Sequence, residues 1–63
     1  MKNYVVFNIS KSKFLKFIDI DFFICEYTNN FDDVMLFSSQ YSAEKFASYV
    51  EEKVAVFEIC SIF

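Results

Sequence analysis

One stretch of this chain, residues 32–50, has the pattern of a capped amphipathic helix, whereas the sequence on either side of it is typical of β-strands. Four apolar residues in it follow the spacing i, i+3, i+4, i+7, which gives a helix one buried stripe: Ala43, Phe46, Ala47 and Val50. Ser39, with Ser38 as the alternative, is suited to cap the first turn, because a serine hydroxyl can accept from free helix N–H groups. We therefore predict a single helix over residues 40–52.

Four runs of β-branched and aromatic residues flank this helix and predict strands: residues 3–9, 13–19, 22–27 and 53–63. The linkers between the first three runs are too short for parallel crossovers, so these runs predict an antiparallel meander. The chain has no Gly and no Pro, so its turns depend on Asn, Asp and Ser. The predicted fold is one α+β domain with the order β-β-β-α-β. It has an antiparallel sheet of three or four strands and one helix on one face. The last strand is apolar on both faces, which predicts a central strand or one covered on both sides.

The chain carries more apolar surface than one helix can cover. Of its 63 residues 56% are hydrophobic, against roughly 45–50% in an ordinary domain. One assignment puts six residues on the helix side: Val5, Phe7, Leu15, Phe17, Phe57 and Ile59. The open face then holds the residues that we predict to bind a partner, together with Ile62: Tyr4, Val6, Phe14, Ile18, Val54 and Val56. The opposite assignment leaves a similar surplus.

An exposed apolar patch of this size is typical of an interface. The alternative is that a terminal segment folds back over it. A chain this short buries only roughly 60% of its unfolded surface, so association is the expected source of added stability.

The acidic residues are unevenly distributed along the chain. Residues 1–16 hold four Lys and no acid, whereas residues 17–63 hold nine acids and two Lys, although the whole chain has a net charge of only −3. An acidic body disfavours direct nucleic-acid binding and suits a basic protein surface, although acids also keep a small apolar protein in solution. Five acids are predicted to steer a partner: Asp32, Asp33, Glu44, Glu51 and Glu52.

No motif in the sequence predicts an enzyme. There is no His to activate a nucleophile, and Cys25 and Cys60 lie in apolar runs, which favours two reduced, packed thiols and leaves a single bridge between them open. Asp19 and Asp21 are read as turn formers rather than cation ligands, because no Gly-bearing calcium loop follows. We predict no metal and no cofactor. No apolar run reaches about 18 residues and no signal-peptide pattern is present, so we expect no membrane span and a cytoplasmic location.

A spacing in the sequence resembles a group of small proteins. Phe37-Ser38-Ser39-x-x-x-Ala43-x-x-Phe46-Ala47, preceded by a hairpin containing Phe14-Leu15-Lys16, resembles small β-β-β-α-β proteins encoded by phages and mobile elements, some of which are anti-CRISPR inhibitors. The chain departs from that pattern at Asp19-Ile20-Asp21, where such hairpins often carry a glycine. The resemblance implies a host-directed binding protein and assigns no site residue.

Together these observations predict a non-enzymatic protein-binding module. Its predicted role is to inhibit a host defence protein by steric or acidic-mimic blockade. The alternative is a self-associating structural or small-ligand-binding module, a homodimer formed through the open sheet face.

Overall fold

A computed structural model describes residues 2–60 and has six elements in order: β1 Lys2–Asn8, β2 Lys13–Asp19, β3 Ile24–Thr28, a 3-10 turn Phe31–Asp33, α1 Gln40–Ala47 and β4 Val54–Cys60. The strands form one four-stranded antiparallel sheet in the order β3-β2-β1-β4. The predicted α+β domain with the order β-β-β-α-β is therefore confirmed. Residues 61–63 of the last predicted strand, Ile62 among them, lie outside the described residues.

The helix begins at its predicted cap and ends early. Ser39 is the N-cap, and its hydroxyl oxygen accepts from the backbone N–H of Ser42 at 3.1 Å. The helix was predicted to reach residue 52 but ends at Ala47. Beyond that point the N–H groups of Tyr49 and Val50 each bond to a carbonyl three residues back, so the chain tightens out of the α-helical ladder.

Both hairpins have the same loop design, built without glycine. Each loop has four residues, 9–12 between β1 and β2 and 20–23 between β2 and β3. The fourth residue, Ser12 in the first loop and Phe23 in the second, has φ of 54° and so lies in the left-handed region. In both loops the residue before the loop is an Asx side chain that accepts from loop N–H groups.

The segment before the helix separates β1 from β2. These two strands pair directly only next to their loop, at Phe7 with Phe14 and at Asn8 with Lys13. Further along, the backbones of Tyr4 and Phe37 exchange two hydrogen bonds of 2.9 Å. The N–H of Met35 donates to the carbonyl of Leu15 at 3.0 Å. Residues 35–37 therefore bridge the two strands where they diverge.

The core lies between α1 and one face of the sheet, which we call the helix side. Five buried residues form it: Val6, Leu15, Phe37, Ala43 and Ala47. Further residues pack against it, including Tyr4, Ile18, Val54 and Val56. Placement of these four residues and Val6 on the open face was therefore wrong. The opposite assignment holds for β1 and β4. On β2, Leu15 lies on the helix side and Phe14 on the open face, as first assigned, and only Phe17 and Ile18, which follow the register shift after Leu15, are exchanged.

The physical reason is the bulk that the helix and its preceding segment supply. The rings of Phe37 and Phe46 lie 5.5 Å apart in the core, so the helix side of β1 and β4 needs only smaller side chains such as Val6 and Val56. Phenylalanines of the sheet occupy the other face, which we call the open face. In β1 and β4, which pair in a regular register, side chains alternate with a period of two, so one such choice decides the side of every residue.

The last strand, β4, is an edge strand among the described residues, so a central position, one of the two settings predicted for it, was wrong. It pairs along its full length with β1 alone, in a regular register from Val54 to Cys60. Its two apolar faces have different neighbours, since one lies under α1 and the other contributes to the open face.

Both cysteines are free, as the sequence favoured. Cys25 is half-buried, but Cys60 is exposed, so the prediction that both thiols are packed was wrong for Cys60.

Candidate functional site

Four phenylalanines form a continuous row across the open face, which we call the aromatic row: Phe31, Phe14, Phe7 and Phe57. Neighbouring ring centroids are 5.5, 4.9 and 6.2 Å apart along this order, with interplanar angles of 85°, 62° and 65°. These are edge-to-face arrangements, which aromatic pairs prefer. The row joins the 3-10 turn to β2, β1 and β4.

Strand register explains why these rings meet. Phe7 stands opposite Phe14 on β2, and opposite the small Ala55 on β4, so the neighbouring Phe57 approaches Phe7 diagonally. Val5, opposite Phe57 on the same face, is only 1% exposed. The two end rings stay accessible, since Phe57 is 49% and Phe31 52% exposed, whereas Phe7 and Phe14 between them are half-buried. The open face therefore has a dry centre and an accessible aromatic surface, which is typical of a binding surface.

The charges placed beside the aromatic row are mainly acidic. Asp32 and Asp33 follow Phe31 in the 3-10 turn, which is fixed by the Asn30 side chain accepting from the N–H of Asp32 at 3.0 Å. Glu26 stands opposite Phe17 in the register of β3 and β2, on the open face. Lys16 is exposed within the register shift of β2.

The predicted partner-binding residues lie in three regions: the helix side of the sheet, the open face with the 3-10 turn beside it, and helix α1 with the segment after it. Of the apolar set only Phe14 lies on the open face, where it belongs to the aromatic row. Of the acids, Asp32 and Asp33 lie beside that row, whereas Glu44 is on the helix and Glu51 and Glu52 follow the helix. The six apolar residues were predicted to share one face, but the folded chain places Phe14 on the open face and the other five on the helix side.

A second surface, which we call the cleft, lies on the helix side. Helix α1 packs on β1 and β4, and its eight residues leave the β2–β3 half of the sheet uncovered. The cleft there has a volume of about 520 Å³. Its residues come from the sheet (Ile18, Cys25, Tyr27), the β2–β3 loop (Ile20, Phe23) and the chain after α1 (Tyr49, Val50), with Lys11, Asp19, Glu51 and Glu52 as its charged residues.

A buried amide, Asn8, fixes one end of the cleft. It is fully buried, and its Nδ2 donates to Glu52 at 3.0 Å while its Oδ1 accepts from the N–H of Lys11 at 3.0 Å. The ammonium group of Lys11 lies 3.8 Å from the Glu52 carboxylate and 5.9 Å from the centre of the Tyr27 ring. Asn8 therefore ties the first hairpin loop to the chain after α1.

The surroundings of Tyr27, which include Asn8 and Glu52, shift the pKa of its phenol. Burial raises the pKa of its phenol above the ordinary value of 10.0, the nearby Asn8 side chain opposes that shift, and the neighbouring Cys25 and Glu52 add to it. The phenol is therefore neutral near physiological pH, and the charge of the cleft is set by its carboxylates and Lys11.

Sequence reasoning missed the cleft, Asn8 and the role of Phe23. A signal for Asn8 was present only in the opposite assignment of the faces, in which Tyr4, Val6 and Asn8 share the side of β1 that the helix covers. No sequence signal placed Phe23 in a left-handed turn position, where bulky residues are rare.

Within residues 2–60, no three His, Cys, Asp or Glu side chains are grouped so that they could share a metal ion. No helix in the same range is long and apolar enough to cross a membrane. Comparison of the chain with protein-family models, with curated proteins and with solved structures found no match.

Proposed function

We propose that this chain is a non-enzymatic protein-binding module that docks through its open face onto an apolar, basic-rimmed surface of another protein. The observation that carries the proposal is the aromatic row, four edge-to-face rings across three strands and the 3-10 turn, of which the two end rings, Phe31 and Phe57, are exposed. Aromatic side chains are enriched among the residues that dominate binding energy at protein interfaces.

Charge favours a different protein over a second copy of this one. A face-to-face homodimer would bring the acids Asp32, Asp33 and Glu26 of one copy towards those of the other, depending on the docking angle. Like charges placed together at an interface oppose association, whereas a basic rim on a partner would complement them and speed the encounter. The two acids of the 3-10 turn are exposed, so their contribution would fall with added salt.

The experiment compares capture by immobilised wild-type protein and by two variants of the aromatic row, Phe31→Ser and Phe57→Ser. Tyr41→Ser is the matched control, because Tyr41 is a 76% exposed aromatic residue on α1, away from the open face. Circular dichroism establishes that each variant is folded. Proteins retained by wild type are quantified in parallel on all four surfaces.

We expect a defined set of basic proteins that the wild type and Tyr41→Ser retain equally and that both Phe variants lose. Retention of that set should also fall steeply as salt rises. Equal retention by Phe57→Ser and wild type would refute docking through the open face, and loss on Tyr41→Ser alone would place the binding surface on the helix.

Self-association is the second candidate, and one observation favours it. The outer edge of β4 has no strand beside it within residues 2–60, and β4 has seven residues in regular register and no Pro or Lys. Natural edge strands are commonly protected by such residues, by bulges or by short length. Antiparallel pairing of two β4 edges would extend the sheet across both copies and leave both aromatic rows accessible.

The proposed setting is the cytoplasm, in keeping with two free cysteines. No match links the chain to phage or mobile-element proteins, so blockade of a host defence protein stays a prediction from the sequence alone.

A further inference from the structure

We propose that the cleft binds a small organic cation with an apolar body, of which an alkylammonium ion is the simplest example. This site is separate from the aromatic row, because it lies on the helix side of the sheet and uses different residues.

The size and walls of the cleft suit a small molecule. Its volume of about 520 Å³ falls within the roughly 300–1,000 Å³ of typical ligand sites. Its apolar lining comes from the sheet, the β2–β3 loop and the chain after α1: Ile18, Tyr27, Ile20, Phe23 and Val50. It arises because α1 ends at Ala47 and covers only the β1–β4 half of the sheet. An apolar body placed there would remove exposed hydrophobic side chains from water.

The charge of the cleft selects a cation. Three carboxylates, those of Asp19, Glu51 and Glu52, line it against a single ammonium group, that of Lys11. Lys11 is already paired with Glu52 at 3.8 Å, and among residues 2–60 neither Asp19 nor Glu51 takes part in an ion pair. An incoming cation therefore meets two carboxylates that have no ion pair in that range, of which Asp19 already accepts from the backbone N–H groups of Asp21 and Phe22 through its Oδ1.

The aromatic lining suits the same charge. Lys11 places its ammonium group 5.9 Å from the centre of the Tyr27 ring, so a cation already lies over an aromatic face at one end of the cleft. Tyr49, 40% exposed, is a second tyrosine in the lining of the cleft. Attraction between a cation and the face of a tyrosine ring strengthens as water is excluded.

Phe23 supplies an independent observation. It occupies the left-handed position of its loop, which is unfavourable for a bulky residue, yet its side chain is 80% exposed and gains little from packing. The equivalent position of the other hairpin holds Ser12, so the loop design itself does not require a large ring. A strained residue displayed at a cleft points to a functional reason, and here the ring would cover the apolar body of the ligand.

The test is a titration of the ¹⁵N-labelled full chain with octylammonium chloride, followed by amide chemical shifts. We expect saturable shifts centred on residues 18–27 and 49–52. Octanoate, which has the same apolar body and the opposite charge, is expected to bind at least about tenfold more weakly. A tri-lysine peptide, which carries the charge without a long apolar body, is expected to bind more weakly than octylammonium as well.

Variants separate the contributions of charge and ring. Glu51→Gln is expected to weaken octylammonium binding by up to about fivefold, as befits one exposed ion pair, with Glu44→Gln on α1 as the unaffected control. Phe23→Gly is expected to reduce affinity while the protein stays folded, and Phe22→Gly in the same loop is its control, because Phe22 is not among the residues that line the cleft.

Four results would refute binding of an apolar cation in the cleft. Equal affinity for octylammonium and octanoate, or unchanged affinity in Phe23→Gly, would overturn the proposal. So would tri-lysine binding at the cleft as tightly as octylammonium, because the occupant would then be a basic protein segment. Shifts confined to the open face would equally refute the cleft as the site. None of these results depends on whether the aromatic row binds a protein.

Discussion

Replacing Phe23 by glycine should leave the folded state almost as stable as wild type, although it removes an entire aromatic side chain. The φ of 54° at Phe23 is disfavoured for any residue with a Cβ, at a cost of about 1–2 kcal/mol, which glycine relieves. Against this gain, glycine adds flexibility to the unfolded chain, worth about 0.5–1 kcal/mol. The ring is 80% exposed, so its lost burial is worth only about 0.3–0.6 kcal/mol.

The neighbouring Phe22 makes the comparison quantitative. It is 74% exposed and, unlike Phe23, does not have a positive φ, so Phe22→Gly incurs the same penalties without relieving strain. We therefore expect Phe22→Gly to be about 1–2 kcal/mol less stable than wild type and Phe23→Gly to lie within about 1 kcal/mol of wild type. The difference between the two variants, about 1–2 kcal/mol, is the strain at Phe23.

Urea unfolding followed by circular dichroism measures this difference, since both variants expose nearly the same surface and should share one m-value. In a chain of this length each kcal/mol corresponds to about 4–8 °C in Tm, so thermal scans provide a second reading. Ser12→Gly, at the equivalent position of the first hairpin, should show a similar relief of strain. Equal destabilisation by Phe23→Gly and Phe22→Gly would refute the reasoning, because Phe23 would then carry no strain.

Three further predictions concern the cap, the buried amide and the phenol. Ser39→Ala should lower the free energy of unfolding by about 1 kcal/mol, because it removes the helix N-cap. Ser38→Ala should lower it much less in the same denaturation assay, and equal effects of the two variants would contradict Ser39 as the cap. Asn8→Ala should cost about 1–2 kcal/mol in urea unfolding. Asn8→Asp should destabilise the fold more than Asn8→Ala, because it replaces the amide that donates to Glu52 with a second buried carboxylate. A smaller effect of Asn8→Asp would contradict the hydrogen bond from Asn8 to Glu52. Burial raises the pKa of Tyr27 above 10.0, so above pH 10 the folded chain keeps a phenol proton that the unfolded chain loses. The contribution of the neutral phenol to stability is therefore complete below pH 10 and is lost as pH rises through the folded pKa. Tyr27→Phe should therefore flatten the decline of stability above pH 10, Tyr41→Phe being the control, and an unchanged decline would contradict the burial of the phenol.

The order of elements could be predicted from the sequence because it depends on local patterns. The period-two runs placed β2 at residues 13–19, and the apolar spacing with Ser39 placed the start of the helix correctly. The end of the helix was predicted five residues too late, since Val50 continues the apolar stripe although the chain has already left the helix at Ala47. Apolar periodicity reports which side chains are to be buried, and a tightened turn can bury them as well as a helix can.

The face that the helix covers could not be predicted, because both alternating sets of side chains in β1 and β4 are apolar. Val6 and Val56 alternate with Val5 and Phe57, and nothing local to these strands decides which set the helix covers. The decision comes from the volume of Phe37 and the helix residues in the core, which is a tertiary property. The cleft depends in the same way on how far the helix extends over the sheet.

The most direct measurement of the central claim, that the open face is free in the isolated protein and serves another protein, is sedimentation equilibrium over a wide concentration range. The account predicts a monomer of 7.5 kDa throughout the micromolar range, with the acids beside the aromatic row opposing face-to-face pairing. A dimer of twice that mass that dissociates when Phe31 is changed to Ser would contradict it, because the aromatic row would then serve a second copy of the chain.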